Sequence, residues 1–400
     1  MAKGKAKNDL KEEKKVVEET KEVKTENKNE PKAEENEVKS KGEVIQAVPK
    51  AKKSTSSFSD MFFILFIYLN VIHALGALIN HIDDTDETYG YWEPLHYLLY
   101  GKGMQTWEYS PDYAIRSYAF IYPFYLIGKV LTYFNIHKLR VFYAIRGAIG
   151  MFTATGEVSL VYAIHKRYDN ELLNFFLVAF LVCSSGIFFA GTAFLPSAIS
   201  SSLLMHCYSQ WLMERYYLAI FWGSIAVLWT GWPFVAVLLV PLGLHMVVDT
   251  FIKGKKNGTG MSKVLQFLFA GLCIAFLVFV PAFVLDVQYY GKWTCPTINI
   301  ALYNAFGGTG DELYGVEPLT YYIKNLFLNV GVTWPLAILW PIATAMKESL
   351  CQPTPEEKKT NPKDTEKKSK GLIDEFVLTI VSAAFLWLMT LFSRPHKVAS

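Results

Sequence analysis

The chain has 400 residues, 52% of them hydrophobic and 15% aromatic, and its formal net charge is only +3. Fifteen lysines and 12 acidic residues fall within the first 53 positions, so the rest of the chain has too few charges for a water-exposed surface. This distribution disfavours a nucleic-acid-binding protein, whose basic residues would lie among aromatic residues on a folded surface. It indicates an integral membrane protein instead.

Residues 1–57 form a tail that is rich in Lys and Glu and poor in apolar residues. Such a composition cannot bury enough surface to offset the entropy of ordering, so we expect a disordered tail. Its lysines, including Lys52 and Lys53 just before the first apolar run, predict a cytosolic position by the positive-inside rule. The run from Met61 to Asn80 lacks a small-residue cleavage site and is predicted to be a retained membrane span.

Seven more apolar segments lie between two polar loops, 81–117 and 287–318, which we expect on the far side of the membrane. Seven crossings cannot connect two loops on the same side, so one segment must fail to cross. We expect that segment to begin at Pro196, which four serines follow closely, and to be re-entrant or interfacial. The seven segments lie at about 118–134, 141–164, 172–190, 196–213, 216–230, 232–252 and 264–287.

Basic residues predict which connections between these segments face the cytosol. His137–Arg140 and Lys253–Lys256 are both expected on that side. The glycosylation motif Asn257-Gly258-Thr259 lies directly after the second basic stretch, so it is predicted to be unmodified.

The region 58–346 is thus predicted to be a transmembrane region with two far-side loops. A charged cytosolic loop follows at 347–371, and a last span with a short far-side end occupies 372–400. The predicted fold is all-α, a polytopic membrane protein with roughly eight or nine transmembrane helices.

The densest cluster of carboxylates directly follows the first span, where Asp83, Asp84, Asp86 and Glu87 lie within five positions. Crowded carboxylates favour a general base or a divalent-cation site, and the alternative is an acidic cap at a helix end. A calcium loop needs alternating oxygen ligands with a glycine at its turn, and this stretch lacks that spacing.

The five cysteines of the chain form no Cys-x-x-Cys pair, so they do not indicate a zinc site either. We therefore assign no metal site.

Two charged residues, Arg146 and Glu157, fall within the predicted spans, where a charge is costly. Their spacing puts them on one helix face but about 16 Å apart along the axis, too far to pair with each other. We expect each to bond to a neighbouring helix. The alternative is a role in a polar channel that leads to a lipid substrate.

Several runs of residues carry a resemblance to a known family. They are Asp83–Tyr89, Tyr91–Tyr97, Gln105–Pro111, Tyr113–Tyr118 and Ser393–Lys397. Together they resemble the endoplasmic reticulum α-1,2-mannosyltransferases of the asparagine-linked glycosylation pathway, which belong to glycosyltransferase family 22. The likeness extends from about residue 58 to residue 397 and leaves out the N-terminal tail.

This resemblance implies a GT-C-type glycosyltransferase in the endoplasmic reticulum membrane, with a cytosolic N-terminus. It implies transfer of mannose from dolichyl phosphate mannose to a dolichol-diphosphate-linked oligosaccharide in the lumen, with inversion and without a cofactor. The expected partners are these two substrates and membrane lipids, with no nucleic acid. The family's catalytic Asp-Glu pair corresponds to Asp86 and Glu87.

An inverting transfer needs a carboxylate that takes the acceptor proton while phosphate leaves from the opposite face of the sugar. We expect Asp86 to be this base, with Glu87 or Asp84 orienting it or the acceptor. A cation should stabilise the departing phosphate, and Arg116 is the first choice for this role. The other residues expected to contact substrate are Trp92, Glu93, His96, Tyr290, Arg394, His396 and Lys397.

Two features depart from the family pattern. Related enzymes continue after His-Lys with Glu and further spans, whereas Val398 to Ser400 follow here, so we expect a truncated form whose activity is open. Gly90 stands where Asn is common. The alternatives are a mannosyltransferase of the GPI-anchor pathway, whose first loop usually reads His-Pro-Asp-Glu, and a non-catalytic membrane subunit or transporter. A transporter should place its ionisable residues near the bilayer midplane instead.

Overall fold

A computed structural model of the chain describes residues 55–82, 84–306, 316–331, 335, 339, 375–392 and 396–397. Helices account for nearly all of these residues, which confirms the all-α prediction. Several predicted features lie outside the described residues, namely the tail up to residue 54, Asp83, part of the second loop at 307–315, the charged loop 347–371 and Arg394.

The helices differ widely in length. The first half of the chain forms α1 Thr55–Ile79, α2 Thr85–Glu87, α3 Glu93–Tyr100, α4 Tyr118–Tyr133, α5 Lys138–Tyr168, α6 Glu171–Cys183 and α7 Ser185–Ala190. The second half forms α8 Pro196–Leu212, α9 Tyr216–Ser224, α10 Ala236–Lys255, α11 Gly260–Tyr290, α12 Pro296–Phe306, α13 Leu319–Val330 and α14 Glu375–Phe392. Wide π-type turns at Thr88–Trp92 and Ile225–Trp229 continue α2 and α9, and short 3-10 turns lie at Trp107–Tyr109 and Pro233–Val235.

Short polar breaks separate these helices. Asn170 caps α6 by accepting a hydrogen bond from the backbone N–H of Leu173, at 3.1 Å. The long helix α11 ends at Gly291, whose φ of +67° is the left-handed conformation that glycine adopts without strain. Breaks of this kind allow the chain to reverse direction between consecutive helices within a few residues, as a bundle of antiparallel helices requires.

Four stretches are long and apolar enough to cross a membrane: 60–79, 138–168, 233–255 and 260–290. Their outer faces are apolar as well as their inner ones, since Phe269 and Leu277 of α11 are 70% and 71% exposed. Helices that are apolar on all sides fit a lipid surrounding. The protein is therefore a multi-pass membrane protein, as the composition indicated.

Contacts between side chains fix the direction of α5 relative to α1. Arg146, near the start of α5, donates to the carbonyl of Asn80, the residue after the end of α1, at 2.7 Å. Tyr162, near the end of α5, packs against Phe62 near the start of α1, with ring centroids 5.2 Å apart. The two helices are antiparallel, so α5 begins at the end of the bundle where α1 leads into Asp84–Glu87. We call this the acidic end.

The other end of the bundle is defined by a cluster of ion pairs, and we call it the basic end. Lys253, near the end of α10, lies 2.7 Å from Glu214, just after α8, and 2.7 Å from Asp249. Arg167, at the end of α5, lies 3.7 Å from the same Glu214. The Asn257 glycosylation motif follows α10 directly, so it lies at the basic end, away from the carboxylate cluster.

The helix that fails to cross the bundle is α4. It begins beside the end of α11, where the backbone N–H of Tyr118 donates to Asp286 at 2.7 Å. The chain after α4 enters the start of α5, where Phe142 packs on Trp92 with ring centroids 4.5 Å apart. Both ends of α4 therefore lie at the acidic end, and its 16 residues are short for a span. The expectation that His137–Arg140 lies on the side opposite the carboxylates is accordingly wrong.

The expectation that 196–213 is re-entrant is also wrong, because α8 runs from the acidic end to the basic end. The backbone N–H of Phe194, just before α8, donates to Glu87 at 2.9 Å, and Glu214, just after α8, joins the ion pairs of the basic end. Its serines do not mark a break, since Ser202 lies 3.0 Å from Thr153 of α5. A Cβ at Gly156 would lie only 2.9 Å from the carbonyl oxygen of Ser202. Small residues allow two helices to pack this closely in a membrane.

The two buried charges of α5 each bond to another helix or to a residue adjacent to one, as predicted. Glu157 lies 2.9 Å from the ring nitrogen Nε2 of His73 on α1, and both residues are buried. Arg146 donates to the carbonyl of Asn80 and, at 3.4 Å, to the hydroxyl of Thr192. These contacts fix the packing of α5 within the bundle.

Labelling of introduced cysteines tests this arrangement. In a chain whose native cysteines are replaced by alanine, Lys102→Cys, Lys138→Cys and Lys256→Cys would be treated with a membrane-impermeant maleimide in sealed microsomes. We expect positions 102 and 138 to react alike and position 256 to react oppositely, because α4 returns to the acidic end. If position 138 instead reacted like position 256, α4 would cross the membrane and the assignment would be wrong.

Candidate active site

The candidate site lies at the acidic end, where one turn of helix orients adjacent carboxylates in different directions. Asp84 caps α2 by accepting a hydrogen bond from the backbone N–H of Asp86, at 2.8 Å. The following turn leaves 58% of the Asp86 side chain exposed, whereas Glu87 is only 5% exposed. The predicted pair of carboxylates thus has one member open to a ligand and one in the protein interior.

Glu87 is fixed by two hydrogen bonds to a single carboxylate oxygen. The indole N–H of Trp92 and the backbone N–H of Phe194 both donate to its Oε1, each at 2.9 Å. The rings of Trp92 and Phe194 also pack together, with centroids 4.9 Å apart. Glu87 therefore joins the acidic turn to the start of α8.

Arg116 is buried beneath the acidic turn and holds Asp86 in place. Its Nη2 donates to Oδ2 of Asp86 at 3.0 Å, and its Nε and Nη2 each donate to Glu108 at 2.9 Å. Its Nη1 donates to the hydroxyl of Tyr91 at 2.6 Å. A fork of this kind fixes both the position and the orientation of the carboxylates it contacts.

The electrostatics of this cluster keep the guanidinium charged. Burial disfavours the charge of Arg116, but Tyr91, Glu108 and Asp86 together raise the pKa of Arg116 above its ordinary value. Burial also raises the pKa of Tyr91 to about 12, in spite of the opposing effect of Arg116. Tyr91 therefore remains a neutral hydroxyl that accepts the guanidinium N–H.

Further hydrogen bonds tie the Arg116 segment to α11. Tyr290 donates its hydroxyl to the carbonyl of Arg116 at 2.6 Å. Asp286 accepts the hydroxyl of Ser117 at 2.9 Å and the backbone N–H groups of Tyr118 and Ala119 at 2.7 and 3.2 Å. Asp286 thus caps the N-terminus of α4 from a helix that is distant in sequence.

The other predicted substrate contacts lie in several places. Glu93 accepts the backbone N–H of Met104 at 3.0 Å, and Nδ1 of His96 lies 2.6 Å from the carbonyl oxygen of Lys102. Trp92, Glu93 and His96 also line an apolar groove of about 470 Å³ between α3 and the start of α5.

Tyr290 is buried, and its hydroxyl is occupied by the Arg116 carbonyl. The backbones of His396 and Lys397 form a two-residue antiparallel pair with Glu317 and Val316. Within the described residues, the structure therefore brings Asp84, Asp86, Glu87, Arg116, Trp92 and Tyr290 into one connected cluster. The roles of all these residues toward substrate stay predictions.

A pocket of about 390 Å³ with both polar and apolar walls opens next to Glu87. Its wall is formed by His81 and the carboxylates of Asp84 and Glu87, by Arg146 of α5, by the end of α7, and by the start of α8 with Ser197 and Ser201. Among the described residues, no group of three or more His, Cys, Asp or Glu side chains is arranged to hold a metal ion. The expectation that the site uses no cofactor stays a prediction.

Sequence reasoning missed Glu108 and Asp286, which do as much to build the site as the residues it found. Glu108 lies within one of the runs that carry the family resemblance, but only its two contacts with Arg116 reveal its importance. Asp286 had a clearer signal, because it is a lone carboxylate in a 31-residue apolar helix. An ionisable residue in such a helix usually has a structural or functional partner.

The fold and the site together define a multi-pass membrane protein with a carboxylate-centred site at one end of its helix bundle. Comparison with known families is more specific, since residues 61–398 match the family described as Alg9-like mannosyltransferases. The chain belongs to this family.

Curated relatives agree with the family assignment. The chain is 32% identical over 337 residues to the α-1,2-mannosyltransferase ALG9 of Arabidopsis thaliana, which is 84% of this chain and 53% of that protein. It is 39% identical over 295 residues to the α-1,2-mannosyltransferase algn-9 of Caenorhabditis elegans, which is 74% of this chain and 47% of that protein. A more distant match, 25% identical over 262 residues, is GPI mannosyltransferase 3 of Yarrowia lipolytica, with 62% of this chain and 48% of that protein covered. The chain spans about half the length of these relatives, and no solved structure matches it.

The capping carboxylate Asp286 provides a test of how the site is assembled. We expect Asp286→Ala to lower the free energy of unfolding by about 2–4 kcal/mol, because it leaves a buried hydroxyl and two buried N–H groups without an acceptor. Denaturation in mixed micelles would measure the loss. Asp112→Ala, at an exposed position of the loop that precedes α4, is the control and should change stability little. Equal stability of the two variants would contradict a capping role for Asp286.

Proposed function

We propose that this chain is an α-1,2-mannosyltransferase of the endoplasmic reticulum. Its donor is dolichyl phosphate mannose, and its acceptor is the lipid-linked oligosaccharide precursor of N-glycans. Family membership and the names of the relatives support the reaction class. The observation that carries the proposal is the exposed carboxylate of Asp86, held by a buried arginine at one end of a membrane bundle.

Asp86 suits the role of general base. One of its oxygens, Oδ2, is held by Arg116, whereas Oδ1 has no protein partner among the described residues. A free and oriented oxygen can accept the proton of an acceptor hydroxyl, which is the task of a base in an inverting transfer. Asp84 supports this geometry by fixing the backbone of the turn.

The reaction is a single displacement. The acceptor hydroxyl oxygen forms a bond to the anomeric carbon of mannose as the bond between that carbon and the phosphate oxygen breaks. The hydroxyl proton passes to Asp86, and dolichyl phosphate departs with the electron pair of the broken bond. The acidic end would then face the lumen, with the N-terminus in the cytosol.

Arg116 acts as a positioning residue in this proposal. The sequence suggested that it stabilises the departing phosphate, but two carboxylates and a tyrosine already occupy most of its N–H groups. A phosphate ligand would have to displace one of these partners. Glu87 is buried and accepts two hydrogen bonds, so it is also a positioning residue, which holds Trp92 and the start of α8 in place.

The apolar groove lined by Trp92, Glu93 and His96 is the proposed contact for a polyprenyl chain. Its wall is formed mainly by hydrocarbon side chains such as Leu99 and Phe142, which suit a hydrocarbon ligand better than a sugar.

Substitution of the proposed base tests the function directly. We expect Asp86→Asn to lower the rate of mannose transfer by at least about 100-fold, because the amide cannot accept the proton. The measurement is transfer from radiolabelled dolichyl phosphate mannose to lipid-linked oligosaccharide in membranes. The matched control is Asp112→Asn at an exposed position of the same loop, which should retain activity. Full activity of Asp86→Asn at equal protein level would remove Asp86 from its role.

A mannosyltransferase of the GPI-anchor pathway is the second candidate, favoured only by the match to the Yarrowia lipolytica protein. Cells that lack this protein separate the two candidates. We expect them to accumulate lipid-linked oligosaccharides that are short of mannose, while their GPI precursors remain normal. The wild-type chain should restore the pattern and Asp86→Asn should not. Accumulation of GPI precursors alone would favour the second candidate.

A further inference from the structure

The pocket next to Glu87 contains a buried cation whose hydrogen-bond partners are both neutral. Arg146 is 4% exposed, and its hydrogen bonds are to the carbonyl of Asn80 and the hydroxyl of Thr192. Its Nε has no hydrogen-bond partner. Glu87 borders the same pocket and acts on this charge electrostatically, but no carboxylate of the described residues makes an ion pair with Arg146. A buried charge without a close counter-charge is costly, so this arrangement is favourable when an anion can enter the pocket.

Arg146 differs in this respect from Arg116, the other buried arginine at the acidic end. Arg116 is neutralised by Glu108 and Asp86, which lie 2.9 and 3.0 Å away. Arg146 makes no such ion pair within the described part of the chain. Of these two arginines, Arg146 is therefore the one that retains capacity for an anionic ligand.

The start of α8 adds a second feature that suits an anion. Leu195, Ser197 and Ala198 line the pocket and belong to the N-cap and first turn of this 17-residue helix. No side chain caps this helix end, and Pro196 has no N–H, so the N–H groups of Ser197 and Ala198 are available to a ligand. The helix dipole also favours negative charge at this position.

We propose that this pocket binds the phosphate of the lipid-linked sugar donor, an inference that rests on the proposed function. Part of the pocket wall is formed by Asp84 and Glu87, which are close neighbours of the proposed base Asp86 in the sequence. A phosphate bound there would leave next to Arg146, which stabilises the developing negative charge without disturbing the Arg116 network. Arg146 and the first turn of α8 form the phosphate subsite.

The remainder of the pocket wall favours a lipid-linked phosphate over free phosphate. Phe189, Ala190, Ala193 and Leu195 provide an apolar surface beside the cation and the two serines. A lipid phosphate needs both a charged contact and an apolar one, whereas inorganic phosphate gains nothing from the apolar wall.

Binding of dolichyl phosphate to the full chain in detergent tests the inference independently of catalysis. A ligand of the native state raises the midpoint of thermal unfolding, so the midpoint can be titrated with dolichyl phosphate, with dolichol and with inorganic phosphate. We expect dolichyl phosphate to stabilise the wild-type chain far more than either control ligand. Arg146→Gln should weaken dolichyl phosphate binding at least about tenfold, and Arg146→Lys should weaken it less.

Two further variants control for folding. Arg140→Gln removes an arginine from an exposed position of the same helix and should bind dolichyl phosphate as the wild type does. Ser201→Glu places a carboxylate at an exposed position of the pocket wall, so it should weaken binding without disturbing the core. If Arg146→Gln does not fold, Ser201→Glu decides the outcome.

Several results would overturn the inference. Unchanged binding in a folded Arg146→Gln or in Ser201→Glu would exclude the pocket. Equal stabilisation by dolichol would show that phosphate is not recognised, and equal stabilisation by inorganic phosphate would show a site for free anions. Failure of the proposed function can be distinguished from failure of this inference, because in that case the wild-type chain itself would transfer no mannose. An active Arg146→Gln with an unchanged KM for dolichyl phosphate mannose would refute the phosphate subsite alone.

Discussion

The ionic contact between Arg116 and its two carboxylates is the interaction on which the acidic end depends. The guanidinium is buried, so its charge requires close counter-charges, and Glu108 supplies two of the hydrogen bonds. The remaining contacts of the guanidinium reach Asp86 in α2 and Tyr91 in the π-type turn that continues α2. Removal of the guanidinium would leave Glu108 partly buried without its partner and Asp86 without a fixed orientation.

The backbone around Arg116 is held as firmly as its side chain. Its carbonyl accepts the hydroxyl of Tyr290, and the next three residues donate to Asp286. Asn299, on α12, donates to the carbonyl of Ala114, whose φ of +45° is unusual for a residue with a side chain. Two helices that are distant from this loop in sequence, α11 and α12, therefore fix it, and the orientation of Asp86 follows from the packing of the bundle.

Much of the fold and part of the candidate site could be predicted from the sequence. The membrane class, the long spans and the adjacency of Asp84, Asp86 and Glu87 follow from composition, apolar runs and a recognisable motif. Opposite exposure of Asp86 and Glu87 could not be predicted, because it depends on a cap by Asp84 and on an N–H of Phe194 that lies 107 positions from Glu87. The sequence contained these residues but not their proximity.

The segment that fails to cross shows why hydropathy is insufficient for topology. Both 118–133 and 196–212 are apolar, and the proline and serines made the second seem the weaker span. Ser202 instead contacts Thr153 of α5, where small side chains permit close packing, whereas α4 is held at the acidic end by Asp286 on α11. The apolarity of a helix determines whether it can leave water, and the contacts at its two ends determine whether it crosses the membrane.

Because α4 stays at the acidic end, the loop with Arg116 and the start of α5 with Arg146 lie at the same end of the bundle. This proximity sets the two arginines of the site beside one turn of carboxylates.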